Sequence, residues 1–335
     1  MTLHMPNPCP LWRALASAML CIATQHAFAA APVTPAAPVT YPAKPIRIVV
    51  PFAPGGGTDT LARMVAQRLS ETLGQPVVVD NRPAVDGVVG SETVAKAAPD
   101  GYTLILVSSS HAINPALRKS LPYDTLKDFA PITQTAVQQL LLVTHQSVPA
   151  TSVKELIALL KANPAKYNYG SSSNATALPM ELFKSMSGTQ VQHIPYKGTG
   201  PMMNDLLGGQ VQMGIVGAVG AIPQVRSGRL RALAIGDSKR SATLPDIPTV
   251  AEAGVPGYQA SIWTGMFGPA KLPRAIIDKV NKEVVRIVQQ ADFKAKMNQM
   301  GSESVGSTPD EWGKFIEAEI VKWAKIAKIA GLKPE

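Results

Sequence analysis

Three short segments carry groups that could hold a small molecule. The first is Pro51-Phe52-Ala53-Pro54-Gly55-Gly56-Gly57-Thr58-Asp59, which follows a β-branched run and opens a segment of helical period. Glycines at such a point let the backbone bend closely around a ligand and aim N–H groups at it. The helix N-terminus adds the positive end of its dipole. A carboxylate or phosphate would suit this loop, although the same residues also suit a plain tight turn. Asp59 fits either a helix N-terminus or a held water. Two sharper readings fail on residue type: a P-loop needs Gly-Lys-Ser/Thr where Gly57-Thr58-Asp59 stands, and a dinucleotide fingerprint needs Gly at Thr60. An acid at the mouth also disfavours a highly charged phosphate.

The second and third segments are Ser108-Ser109-Ser110-His111 and Ser171-Ser172-Ser173-Asn174-Ala175-Thr176. Each follows a short apolar run, so each places hydroxyl donors at the C-terminal end of a strand, where open α/β sheets bind ligands. A polar turn is the plain alternative for either one alone; with the glycine loop they form a converging polar set. Nucleophilic catalysis finds no Gly-x-Ser-x-Gly elbow and no Ser-x-x-Lys. His111, His145 and His193 are too scattered for a metal-binding helix and read as structural. No metal or other cofactor is implied.

These loops need elements to position them. Ile46–Val50 reads as a buried strand, Thr58–Leu73 as a helix (Leu61, Val65, Leu69 and Leu73 lie four apart, with Gly74 after the last turn), and Val77–Asp80 as a strand. Val88–Ala97 reads as a helix and Thr103–Val107 as a strand, so this block is βαβαβ and predicts a parallel sheet with helices on both faces. A second α/β block follows. Leu140–Thr144 is a strand, and Ser152–Ala162 is a helix with Ser152 and Glu155 as its capping box. Tyr167–Ser171 is a strand, helices lie near 178–187 and 200–207, and strands are expected at Gln210–Val216, Arg231–Ile235 and Ile262–Pro269. Helices over 273–299 and 309–330 close the chain. A terminal helical pair must cover an earlier block, which predicts two lobes with more than one crossing between them and a shared cleft.

Composition bounds the rest. The 335 residues include 46% hydrophobic ones, which excludes a disordered chain, and only two cysteines, which exclude a disulfide-dense scaffold or a four-cysteine zinc site. The formal charge of +9 is spread along the chain, and with 5% aromatics there is little to stack single-stranded nucleic acid. Residues 1–29 read as a secretory signal. Arg13 precedes the apolar run Ala14–Thr24, which is shorter than the ~20 residues of a membrane span, and Ala27-Phe28-Ala29 is an A-x-A cleavage pattern. Cleavage after Ala29 removes both cysteines, and Pro- and Ala-rich residues 30–43 read as a spacer.

The residues then show a resemblance. Tyr41-Pro42-x-Lys44-Pro45-Ile46-Arg47, the glycine loop, Gly74-Gln75-Pro76-Val77, Asn81-Arg82-Pro83 and Pro99-Asp100-Gly101-Tyr102-Thr103 occur in order. So do Leu121-Pro122-Tyr123-Asp124, His193-Ile194-Pro195-Tyr196-Lys197-Gly198, Asp205-Leu206-Leu207-Gly208-Gly209-Gln210-Val211 and Leu244-Pro245-Asp246-Ile247-Pro248-Thr249. The series, running from about 41 to 332, resembles the tripartite tricarboxylate transporter solute receptors, or Bug receptors.

The resemblance implies an α/β two-lobed periplasmic binding protein of type II kind, each lobe a mixed sheet flanked by helices. Lobe 1 would be residues 44–140 plus 264–335 and lobe 2 residues 141–263, with the ligand between them. It further implies capture of a small organic mono- or dicarboxylate by a monomer without cofactor or catalytic residue, for inner-membrane transporter subunits. A sensing receptor for a membrane kinase would share the site, and an exported hydrolase or isomerase built on His111 or His193 is the remaining alternative.

The implied contacts are Phe52, Ala53, Gly55, Gly56, Gly57, Thr58 and Asp59 from one side. Ser171, Ser172, Ser173, Asn174 and Thr176 come from the other side, with Gly217, Ala218 and Val219 opposite; Ser109 and Ser110 join from the first serine run. The chain departs from the family pattern at Ala84-Val85-Asp86, where Gly-Ala-Gly is usual, at Ala177 in place of His, and at Gln212 in place of Asp. These changes favour a different or less polar acid, an aromatic one included.

Overall fold

The computed structural model describes residues 1–2, 41–164, 166–332 and 334. Most of the expected signal and spacer therefore lies outside the described residues, and the architecture below belongs to the unit that starts at Tyr41. Among the described residues no helix is long and apolar enough to cross a membrane.

The first block forms as its periodicity predicts. Strand β1 (Ile46–Val50) pairs in parallel with β2 (Val77–Asn81) and β3 (Thr103–Ser108). Between them run helices α1 (Gly57–Leu73) and α2 (Val88–Ala95). Leu61, Val65 and Leu69 of α1 are buried against β1, and Gly74 ends the helix in the left-handed conformation (φ 67°) that glycine adopts without strain.

The sheet is mixed rather than wholly parallel. β4 (Phe129–His145) is a single strand of 17 residues, of which only Leu140–Thr144 was legible as strand, because Thr133, Gln134, Thr135, Gln138 and Gln139 dilute the apolar pattern of its first half. At about 3.3 Å per residue it spans roughly 55 Å, enough to serve both lobes. Its first half pairs antiparallel with β9 (Ser261–Pro269), which pairs antiparallel with β3 and so closes the first sheet. β10 (Ser302–Ser304) pairs with the same half of β4 on its other side. From Leu140 onward β4 pairs instead with β7 (Met213–Gly217) and β8 (Leu230–Ile235), and β5 (Asn168–Ser171) and β6 (Gln192–Pro195) extend that second sheet in parallel.

Helices α3 (Ser110–Leu117), α4 (Val153–Ala162), α5 (Asn174–Ser187), α6 (Thr199–Leu207) and α7 (Ala218–Arg226) complete the middle of the chain. The capping box expected on α4 is half formed. Ser152 accepts from Glu155 N–H at 3.2 Å, but the Glu155 carboxylate reaches back one residue further, to Thr151 N–H at 2.7 Å. The helix expected over 273–299 is two, α8 (Arg274–Val288) and α9 (Ala291–Gln299). Extended backbone at Gln290 turns the chain so that Phe293 and Met297 enter the first core. Helix α10 (Pro309–Ile329) starts at a full capping box, Thr308 with Glu311, and packs its Trp312, Ile316 and Trp323 into a core shared by residues of both sheets.

Candidate functional site

The glycine loop leaves β1 and enters α1 at Gly57. Asp59, 3% exposed, holds its shape. One carboxylate oxygen accepts from Gly55 N–H (2.9 Å) and Arg63 Nε (3.1 Å), the other from Asn81 Nδ2 (2.9 Å). Asn81 Nδ2 also reaches Phe52 O at 3.0 Å. Burial alone would raise the Asp59 pKa, but these bonds and the Arg63 charge outweigh it and hold the group below the ordinary carboxylate range. Asp59 is thus an ionised tie within the loop. Gly55 needs its positive φ of 87°, and its N–H is spent on Asp59. The N–H groups of Gly57, Thr58 and Asp59, the first turn of α1, have no protein acceptor among the described residues.

Those amides open on a cavity of about 40 Å³, which is space for a few waters. Phe52, Ala53, Gly56, Gly57, Thr58 and Asp59 line it from the first lobe. Ser172, Ser173, Thr176 and Gly217 line it from the second, so ten of the expected residues meet at one place. The remaining lining comes from Ser108, Gln138, Gly198, Thr199, Gly220 and Ile262. Among the described residues Asp59 is the sole charged one in this lining, so any anion there would be held by neutral donors and a helix end.

Seven expected residues lie elsewhere, most of them held by tertiary partners. Gly55 faces away and shapes the loop. Ser109 is fully buried, its Oγ accepting from Trp263 N–H of β9 at 2.9 Å. Ser110 Oγ accepts from Ala175 N–H at 3.2 Å. Ser171 Oγ pairs with His193 Nε2 at 2.7 Å. Asn174 bonds Asp86 and Asn114. Ala218 packs beside Gly301, and Val219 faces a small crevice behind Gln138. Ser171, Asn174 and His193 instead line a second cavity of about 420 Å³ on the far side of Ser173, together with Asp86 and Arg118.

Four further contributors, Ser108, Gln138, Gly198 and Thr199, were not among the expected contacts. Ser108 was visible in the serine run, but register decides that it, rather than its neighbours, faces the cavity. Its Oγ is buried (4% exposed residue) and has no partner among the described residues. Gln138 crosses the cleft floor: a Cβ at Gly57 would lie 2.6 Å from its Nε2 and one at Gly217 only 2.0 Å from its Oε1, so both glycines are needed for it to fit. Gly198 and Thr199 cap the cleft from the second lobe. A Cβ at Gly198 would meet Ala53 Cβ at 2.8 Å, and one at Gly56 would meet Thr199 Oγ1 at 3.2 Å.

His111 is 2% exposed, ringed by Tyr123, Phe129 and Phe267, and neither ring nitrogen has a hydrogen-bond partner among the described residues. Burial pushes its pKa down to about 3, so it is a neutral core residue outside the cavity lining.

Residues 61–332 match the model of the tripartite tricarboxylate transporter family receptor, TctC. Protein BugT of Bordetella pertussis (strain Tohama I) is 41% identical over 305 residues, 89% of this chain and 94% of its own. Among solved structures, Rpa4515 of R. palustris with adipate superposes with a TM-score of 0.86 at 36% identity, covering 88% of this chain and all (100%) of that one. MatC (Rpa3494) from Rhodopseudomonas palustris with bound malate gives 0.82 at 31% identity, covering 85% of this chain and 99% of its own. The chain belongs to the tripartite tricarboxylate transporter family of receptors, the two-lobed periplasmic solute-binding proteins that include the Bug proteins.

Proposed function

We propose that this receptor captures a small organic carboxylate in the cleft, with one carboxylate on the first turn of α1. The lobes divide near 140 and 263, and closure brings Gly198–Thr199 and Ser172–Ser173 down onto the glycine loop. The observation that carries the reading is the set of donors without a partner among the described residues around one cavity: the Gly57, Thr58 and Asp59 amides and the buried Ser108 hydroxyl. Amides at a helix start and a hydroxyl, with no cation among the lining residues, favour a singly charged group over phosphate. The carboxylates in the Rpa4515 and MatC structures support the same ligand class here.

Export by residues 1–29 would place the protein in the periplasm, and delivery would be to the membrane subunits of a tripartite tricarboxylate-type transporter. The test is thermal melting and calorimetry against a broad panel of mono- and dicarboxylates. At a concentration of 100 Kd a true ligand adds about 2.7 kcal/mol and raises the Tm by several degrees. A melt that stays flat across the whole panel overturns the proposal.

A further inference from the structure

The second lobe also presents a helix N-terminus to the cleft, that of α5, but its amides are already occupied. Asn174 N–H donates to Asp86 Oδ1 at 2.8 Å, and Ala175 N–H to Ser110 Oγ at 3.2 Å. Thr176 and Ala177 N–H both donate to Ser173 O, at 3.0 and 2.9 Å. Just before the helix, Ser172 and Ser173 N–H turn inward to Thr176 Oγ1, at 3.0 and 3.3 Å. Asp86 and Ser110 come from the other side of the cleft, from the turn after β2 and from the start of α3.

Asp86 is held firmly in this position. Its side chain is 10% exposed, its second oxygen accepts from Arg118 Nη2 at 2.8 Å, and its backbone carbonyl accepts from Asn114 Nδ2 at 3.0 Å. Its φ of 56° lies in the left-handed region that non-glycine residues seldom enter. Strain of this kind persists where surrounding contacts over-determine it, and it marks functional sites.

We propose that Asp86 is a built-in carboxylate that fills the anion-holding end of α5, so that the cleft selects acids bearing one carboxylate and rejects those with a second at the far end. This rests on the reading of the cleft given above. A diacid anchored on α1 would carry its other charge toward Ser172, Ser173 and Thr176. There it would find no free amide, because Asp86, Ser110, Ser173 and Thr176 already accept from every donor of that turn, and a carboxylate buried without donors is disfavoured against an uncharged tail. An uncharged tail meets no such opposition and has Phe52, Ala53 and Ile262 beside it.

The experiment compares matched pairs, hexanoate with adipate and benzoate with terephthalate, by calorimetry on the wild type, Asp86→Asn and Asp86→Gly, with folding checked by circular dichroism. The wild type is expected to bind at least one monoacid ten-fold or more tighter than its diacid partner. Asp86→Asn keeps an acceptor for Asn174 N–H but leaves the Arg118 cation unpaired beside α5, which draws a second carboxylate, and should cut that ratio at least ten-fold. Asp86→Gly, which also frees the amide, should cut it further. A wild type that binds diacids as tightly as monoacids overturns the role of Asp86 alone, as does an unchanged ratio in both folded variants. If neither set binds the wild type, the carboxylate reading of the cleft falls with it.

Discussion

Two helix N-termini face the same cleft, one from each lobe, and they differ in what satisfies them. The first turn of α1 has three amides without acceptors among the described residues, because the loop spends its only carboxylate, Asp59, on Gly55, Arg63 and Asn81. The first turn of α5 has every amide matched, two of them by side chains from across the cleft. A helix end is an anion site only when its donors are left open. On the proposed reading, the first lobe offers binding energy, whereas the second offers closure and selection.

Four outcomes would break or sharpen that contrast. The largest effect concerns α3, which carries Ser110 to α5 and has His111 in its core. His111 stays neutral in the folded protein down to about pH 3, whereas in the unfolded chain it takes up its proton near 6.5. The unfolded state then binds more protons between these values, and stability should fall by about 1.4 kcal/mol per pH unit as pH drops through them. His111→Leu should flatten that slope in urea melts taken from pH 7 to 4, and an identical slope in the variant would show that other groups govern acid unfolding. Next is Gly57→Val, whose side chain would displace Gln138 and cover the α1 amides. A loss of affinity of at least 100-fold is expected, about 2.7 kcal/mol, and unchanged calorimetry would remove α1 from the site.

The remaining pair separates binding from closure directly. Ser110→Ala leaves Ala175 N–H buried without its acceptor and should cost about 1–2 kcal/mol of stability, read as a lower denaturant midpoint. Ser108→Ala removes a hydroxyl with no partner among the described residues. Stability should hold while affinity drops about five-fold, roughly 1 kcal/mol. If the two variants exchanged these effects, the assignment of Ser108 to ligand and Ser110 to the lobe contact would be wrong.

Much of the first lobe was legible because its signals are local. Apolar residues four apart define α1, β-branched runs define β1 and β3, and Thr308, Pro309 and Glu311 mark the start of α10. Gly55, Gly56 and Gly57 stood out because three glycines between a strand and a helix have a short list of uses. Register at the end of β3 was not legible. Ser108, Ser109 and Ser110 are chemically alike, and only the pairing of β3 with β9 turns the first toward the cavity and the second toward Trp263. Gln138 was hidden because it sits in the polar half of β4, where nothing in its neighbours marks a site.

By itself, the order of residues determined most elements of the first block, the family and the loop most suited to an anion. These depend on spacing along the chain and on backbone freedom, which are properties of neighbouring residues. Which donors remain open was decided only by tertiary structure. Asp86 and Asn174 are 88 residues apart and Ser110 and Ala175 are 65 apart, yet each pair makes a hydrogen bond across the cleft. Whether an amide is spent on the protein or left for a ligand depends on what folding brings to it. The same type of loop can therefore bind in one lobe and be filled by its own protein in the other.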